Sequence, residues 1–183
     1  MADIHFTDDP AANRLLAADP FALLVGMVLY QQVPVEKAFA GPYVLQDRLG
    51  GELDPAAIAA MDPAHLESVF KERPALHRFP ANMAKRTQAV ARHLVEEYGG
   101  SAAALWGDAP DAATLLARLQ AMPGFGEYKA RVTLGVLVNH YGIRPPGYEE
   151  LVPNWPSIAD VEAPEDLAEL KMRKRAWKES GGG

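Results

Sequence analysis

Four aspartate–proline pairs punctuate this chain and limit what it can become. Asp9-Pro10, Asp19-Pro20, Asp54-Pro55 and Asp62-Pro63 each place a carboxylate just before a proline. An aspartate at a helix N-cap accepts hydrogen bonds from the free N–H groups of the first turn. Proline suits the first helical position because no intrahelical N–H bond is lost there. Each pair therefore starts a helix. Glycine pairs at Gly50-Gly51 and Gly99-Gly100 mark helix ends, because glycine readily takes the left-handed conformation that closes a helix. Between these marks apolar residues recur at helical spacing. Helices are predicted over 9–16, 20–30, 35–49, 56–60, 64–71, 80–98, 108–121, 127–141 and 164–178, with a proline-rich loop over 143–163. No stretch alternates as a strand does, and no solenoid period recurs. An all-α fold follows.

The run Phe21 to Tyr30 is apolar all round, which predicts the central buried helix. It is roughly half the length a bilayer span needs. The segment Met1 to Asp9 is acidic and has no basic stretch followed by an apolar one, so no signal peptide is read there. A soluble cytoplasmic protein with no membrane partner is expected. In the helix over 80–98, Ala81, Ala84, Thr87, Ala91, Leu94 and Val95 are predicted to face inward. The chain contains no cysteine, which excludes disulfides, thiolate zinc sites and a cysteine-ligated iron–sulfur cluster. His5, His65, His77, His93 and His140 are scattered without metal-ligand spacing, so no catalytic metal is predicted. A nucleotide-binding P-loop and a serine elbow are both absent from the sequence.

The formal net charge is −6, which argues against a protein that coats nucleic acid indiscriminately. Distribution matters more than the sum. Lys71, Arg73, Arg78, Lys85, Arg86 and Arg92 fall in one stretch against the single acid Glu72. Lys171, Arg173, Lys174, Arg175 and Lys178 form a second cluster, while acids gather in Asp3–Asp9 and Glu149–Glu169. Each basic cluster fits either a solvated helix face or a surface for an anionic partner.

The most informative short segment is Met122-Pro123-Gly124-Phe125-Gly126, which separates two predicted helices. Its glycines permit positive φ and close approach of the backbone to a ligand. The helix that follows presents free N–H groups and the positive end of its dipole, a site for a phosphate oxygen. Lys129 and Arg131 stand close by to add charge. Contacts of this kind position a protein on DNA without reading sequence. Leu115, Leu116 and Leu119 on one helix, and Val132, Leu134 and Val136 on the other, can hold the pair together. The residues alone fit a phosphate-binding hairpin or an ordinary helical turn.

The stretch Leu119-Gln120-Ala121-Met122-Pro123-Gly124-Phe125-Gly126-Glu127-Tyr128-Lys129-Ala130 resembles the helix-hairpin-helix of the HhH-GPD superfamily of DNA glycosylases. That superfamily includes the endonuclease III, adenine glycosylase and 3-methyladenine glycosylase types. Two further blocks are similar to the superfamily in the same order. Asp19-Pro20-Phe21-Ala22-Leu23-Leu24 through Gln31-Gln32 looks like its early helix and glutamine-bearing loop. Phe79-Pro80-Ala81-Asn82-Met83-Ala84-Lys85-Arg86 through Gly99-Gly100 looks like the helix that precedes the hairpin. The resemblance spans Pro20 to Gly142.

The resemblance implies a protein that binds duplex DNA and flips a damaged or mispaired base into a pocket. Gln31 and Gln32 would fill the gap in the duplex, or simply terminate a buried helix. Gly124, Phe125, Gly126, Lys129, Arg131 and Lys85 would contact DNA. Bifunctional members carry a lysine two residues after the second hairpin glycine. Tyr128 stands there instead, and Lys129 lies about 100° further round the helix. This departure implies a monofunctional enzyme that uses water as nucleophile. Tyr128 would stack on the extruded base, or else pack against the protein. Catalytic members also place an aspartate some seven residues after a Phe-Gly-like pair. The pair here is Tyr141-Gly142, and the count leads to Glu149, with Glu150 beside it. Either could stabilise the cationic sugar or activate water, or lie on the loop surface. Gly147-Tyr148-Glu149-Glu150 looks like the Gly-aromatic-Glu pattern of one HhH-GPD-like group.

The superfamily hairpin often holds a monovalent cation by backbone carbonyls, and those of Met122 and Gly124 are the candidates. No cofactor is expected, and the chain would form a cluster-free branch. The expected layout is one domain over 1–183: a helical core over 20–142 with the hairpin at 111–141, terminal helices and loop over 1–19 and 143–180, and a tail over 181–183. The resemblance implies a helical barrel subdomain carrying the hairpin and a second subdomain of N- and C-terminal helices. A monomer acting in base excision repair is expected. The alternative is an HhH-GPD module that recognises damaged DNA without catalysis.

Overall fold

The computed structural model describes residues 2–182. Among these residues every regular element is helical. The order is α1 (Pro10–Ala18), α2 (Pro20–Leu29), α3 (Val35–Arg48), α4 (Pro55–Ala60), α5 (Pro63–Lys71), α6 (Pro80–Tyr98), α7 (Ala104–Gly107), α8 (Ala112–Ala121), α9 (Glu127–His140), α10 (Tyr148–Leu151), a 3-10 turn (Ile158–Asp160) and α11 (Asp166–Glu179). The Asp–Pro pairs start α1, α2, α4 and α5. Asp9 accepts from the Ala11 N–H at 2.8 Å and Asp19 from Phe21 at 2.9 Å. Asp54 accepts from Ala56 and Ala57 at 3.2 Å, and Asp62 from His65 at 3.1 Å. Each such cap contributes about 1 kcal/mol.

Helix α2 is buried from Phe21 to Leu29, as its unbroken apolar run predicts. It packs on α3 so closely that each helix needs a glycine. A Cβ on Gly26 would stand 2.5 Å from the Phe39 ring, and one on Gly41 would stand 2.3 Å from Leu29 Cδ1. No single helix among the described residues is long and apolar enough to cross a membrane; α1 and α2 are bent by 117° at their junction.

Helix α6 packs against α4 and α5 and buries Met83, Ala84, Thr87, Gln88, Val90, Ala91 and Leu94. The predicted inward stripe therefore needs correction. Ala81 is only half-buried and Val95 is exposed, whereas Met83 and Val90 point inward. Neighbours on several sides widen the buried stripe, and Val95 lies about 100° round the axis from Leu94. The buried Gln88 amide donates to the Ile58 and Met61 carbonyls at 3.0 and 2.8 Å. It thereby satisfies carbonyls at the end of α4.

Two boundaries also differ from the sequence reading. The helix expected from 108 begins at Ala112, because Asp111 caps it by accepting from the Thr114 N–H at 2.7 Å. The proline-rich loop contains α10 and the 3-10 turn, the latter closed by a Ser157–Asp160 capping box. This segment lies against α9. Asn139 donates to the Ala159 carbonyl at 2.8 Å, and a Cβ on Gly135 would meet Pro153 and Ala159 at 2.9 Å. The Tyr141 hydroxyl donates to the Leu16 carbonyl and joins the end of α9 to α1.

Candidate nucleic-acid interface

Helices α8 and α9 form the hairpin. Leu115 and Leu119 are buried against it from one side and Val132, Leu134 and Val136 from the other, with Leu116 half-buried. The turn closes when the Phe125 N–H donates to the Met122 carbonyl at 3.1 Å. Gly124 takes φ +79°, which an L side chain rarely adopts. Gly126 does not: its φ is −72° and ψ 177°. What matters at Gly126 is the missing side chain. It is the N-cap of α9, it supplies no side-chain cap, and its would-be Cβ meets nothing within 4 Å. The first-turn N–H groups of α9 therefore face an unobstructed space.

Three other elements converge beside this turn. A Cβ on Gly124 would lie 3.8 Å from Arg86 Cδ of α6. The Arg86 guanidinium donates to the Gln31 side-chain oxygen, from the loop after α2. Lys129 Nζ lies 5.7 Å from the centre of the Phe125 ring. Burial, with Arg86 nearby, pushes the Lys129 ammonium down to about 8. The glutamine loop is itself fixed from α6's leading segment: His77 Nδ1 accepts from the Phe79 N–H at 3.0 Å, so Nε2–H donates to the Gln31 carbonyl at 2.9 Å. Burial lowers the His77 pKa, which keeps the ring neutral in that role. Gln31 is thus held inward, while Gln32 stands exposed with φ +57°, a left-handed conformation in a residue other than glycine. Such strain persists only where surrounding structure imposes it.

The remaining candidates lie elsewhere. Lys85 is exposed and close enough to lower the Glu67 carboxyl on α5. Its neighbour Arg86, absent from the sequence-derived set of DNA contacts, is the α6 cation that meets the hairpin. Arg131 is not free beside the turn. Its guanidinium donates to the Leu151 and Val152 carbonyls at 2.8 and 3.2 Å and lies 4.8 Å from the Trp155 ring centre. Unsatisfied carbonyls at the end of α10 attract it. Tyr128 is 59% exposed and stacks on Trp155, with centroids 5.3 Å apart and planes 16° from parallel. These two rings line an open groove of about 520 Å³ with Asn154, Lys174, Trp177 and Lys178. Glu149 and Glu150 are exposed on α10 and do not line that groove.

Among the described residues no three histidine or carboxylate side chains gather as metal ligands. Trp155 was missed in the sequence, although an aromatic between Asn154 and Pro156 in a polar loop is a usable signal of a surface role.

A family profile described as "HhH-GPD superfamily base excision DNA repair protein" matches residues 25–153 of the chain. The chain belongs to that superfamily. The match runs from α2 through the hairpin to just past α10, so it contains the Gln31–Arg86–Lys129 cluster and stops short of Trp155 and α11. No curated protein and no solved structure matches the chain.

Proposed function

We propose that this protein grips duplex DNA carrying a damaged or mismatched base through the Pro123–Gly126 hairpin and draws that base out. It then releases the base as a monofunctional glycosylase, with water as nucleophile. A phosphate would sit on the uncapped N-terminus of α9, with Arg86 and Lys129 supplying positive charge. The exposed Gln32 would enter the space left in the duplex, and Arg86 would hold Gln31 behind it. One copy of the chain suffices for these contacts, and neither cofactor nor cluster is invoked. A monovalent cation on the hairpin carbonyls of Met122 and Gly124 would reinforce the phosphate site.

The observation that carries the monofunctional reading is the divergence of Tyr128 and Lys129. An exposed aromatic ring occupies the position where a lyase needs an amine, and the one adjacent amine is folded against Phe125. Lys129 has a lowered pKa and so does not lack nucleophilicity; it lacks reach. Glu149 and Glu150 are the carboxylates nearest in sequence to the expected position, and they would act once DNA lies against α10.

Duplexes carrying uracil, alkylated purines, oxidised guanine or a mismatch provide the test. Base release is expected on at least one, with strand cleavage only after alkali and no borohydride-trapped adduct. Paired Glu149→Gln and Glu150→Gln substitutions should slow release about a hundredfold, the usual cost of removing a charge-stabilising group, while duplex affinity holds. Cleavage without alkali overturns the monofunctional assignment, and unchanged release in the double variant removes the glutamates. A second reading is a binding module without catalysis. It is favoured by a groove beside Tyr128 with no carboxylate among its described lining residues. Salt-sensitive duplex binding with no release on any lesion would select it.

A further inference from the structure

The groove beside Tyr128 is built partly from chain that the superfamily match does not reach. One wall is the Tyr128–Trp155 stack; the other is Trp177 of α11. Trp177 is 38% exposed and its position is fixed. Gly181 takes φ +83°, its N–H donates to the Lys178 carbonyl at 3.2 Å, and the Gly182 N–H donates to the Trp177 carbonyl at 3.0 Å. This pattern is a Schellman cap. It lays Gly182 against the indole so closely that a Cβ there would stand 2.2 Å from the ring. Gly181 and Gly182 thus shape the groove's edge, where the sequence suggested only a tail.

Helix α11 is also anchored to the glutamine loop. Lys174 donates to the Tyr30 hydroxyl at 2.7 Å, and Lys171 pairs with Glu36 at 3.3 Å. Tyr30 immediately precedes Gln31. The groove therefore starts at the second residue of α9, beside the hairpin, and runs under a helix that carries Lys171, Arg173, Lys174, Arg175 and Lys178. Flat aromatic faces with mobile cations at their rim match one ligand chemistry well: bases stack on the rings, and the adjoining phosphates pair with the ammonium groups. The volume lies in the range of ordinary ligand sites.

We infer that the groove between α9 and α11 receives one unpaired nucleotide of DNA, its base against Tyr128, Trp155 and Trp177 and its flanking phosphate on Lys178. This rests on the proposal that the hairpin holds the surrounding duplex. The measurement is affinity, at one salt concentration, for a matched duplex and for the same duplex with a single-nucleotide bulge. The wild-type protein should prefer the bulge by about tenfold, the scale of one base–aromatic stack. Trp177→Ala should bring that ratio close to one and leave matched-duplex affinity unchanged, while Trp177→Phe keeps most of the preference. Lys178→Gln alters only an exposed head group, so it guards against loss of fold, and it should also reduce the ratio. A ratio that survives both Trp177→Ala and Lys178→Gln overturns the inference, as does a wild-type protein that binds both duplexes equally. Equal binding leaves the hairpin proposal standing; binding to neither duplex removes both.

Discussion

The hairpin and the loop that follows α9 both carry charged residues, but they hold them in opposite ways. At the hairpin, Gln31, Arg86 and Lys129 come from three separate elements and meet beside an uncapped helix end. Positive charge is gathered there and left without a carboxylate partner. In the loop, Arg131 is committed to the Leu151 and Val152 carbonyls, while Glu149 and Glu150 stand in solvent. The hairpin is preorganised for an anion before any ligand arrives. Whatever chemistry the α10 glutamates perform must be assembled on the ligand.

The sharpest way to break this contrast is Arg131→Met. If the guanidinium is a brace, stability should fall by about 2 kcal/mol, since hydrogen bonds from a charged donor to buried carbonyls are worth 1.5–3 kcal/mol each and partial exposure discounts them. Thermal unfolding checks the loss, and the salt dependence of duplex binding should not change. A reduced salt slope with unaltered stability would instead make Arg131 a phosphate contact.

Gly124→Val probes the other side. A branched residue forced to φ +79° costs about 1–2 kcal/mol, and the distorted turn should weaken duplex binding about tenfold. An affinity titration that shows no change would separate the turn from DNA altogether.

The smallest effect concerns pH. Lys129 carries its proton below pH 8 and loses it as pH rises through about 8. A bound phosphate favours the charged form, so binding raises this pKa; affinity is then full below 8 and declines above it. One partly exposed charge is worth about 1 kcal/mol, hence a decline of about fivefold by pH 9.5. Lys129→Arg, which stays charged, should flatten the profile. A wild-type affinity that does not vary between pH 7 and 9.5 excludes Lys129 from the phosphate site.

Much of the site was legible in the sequence, though unevenly. Pro123-Gly124-Phe125-Gly126 announced the hairpin, and Gln31-Gln32 announced the loop beside it. Choosing between Lys85 and Arg86 was beyond sequence, because neighbours on a helix differ by about 100° and only the packing of α6 fixes which one meets the hairpin. Arg131 looked like a free cation for a similar reason: its partners Leu151 and Val152 are about twenty residues away.

The sequence by itself determined the helices and most of their ends. A cap such as Asp9 or Asp62 satisfies N–H groups two or three residues away, so the information is local and survives without tertiary context. Family membership was carried in the same way, by short blocks in order. Tertiary structure alone decided which polar groups meet. Arg86 and Gln31 are 55 residues apart, and Lys174 and Tyr30 are 144 apart. No local preference links such pairs; they come together only because burial of α2 and the crossing of its neighbours bring the α2–α3 loop, α6, α9 and α11 to one side.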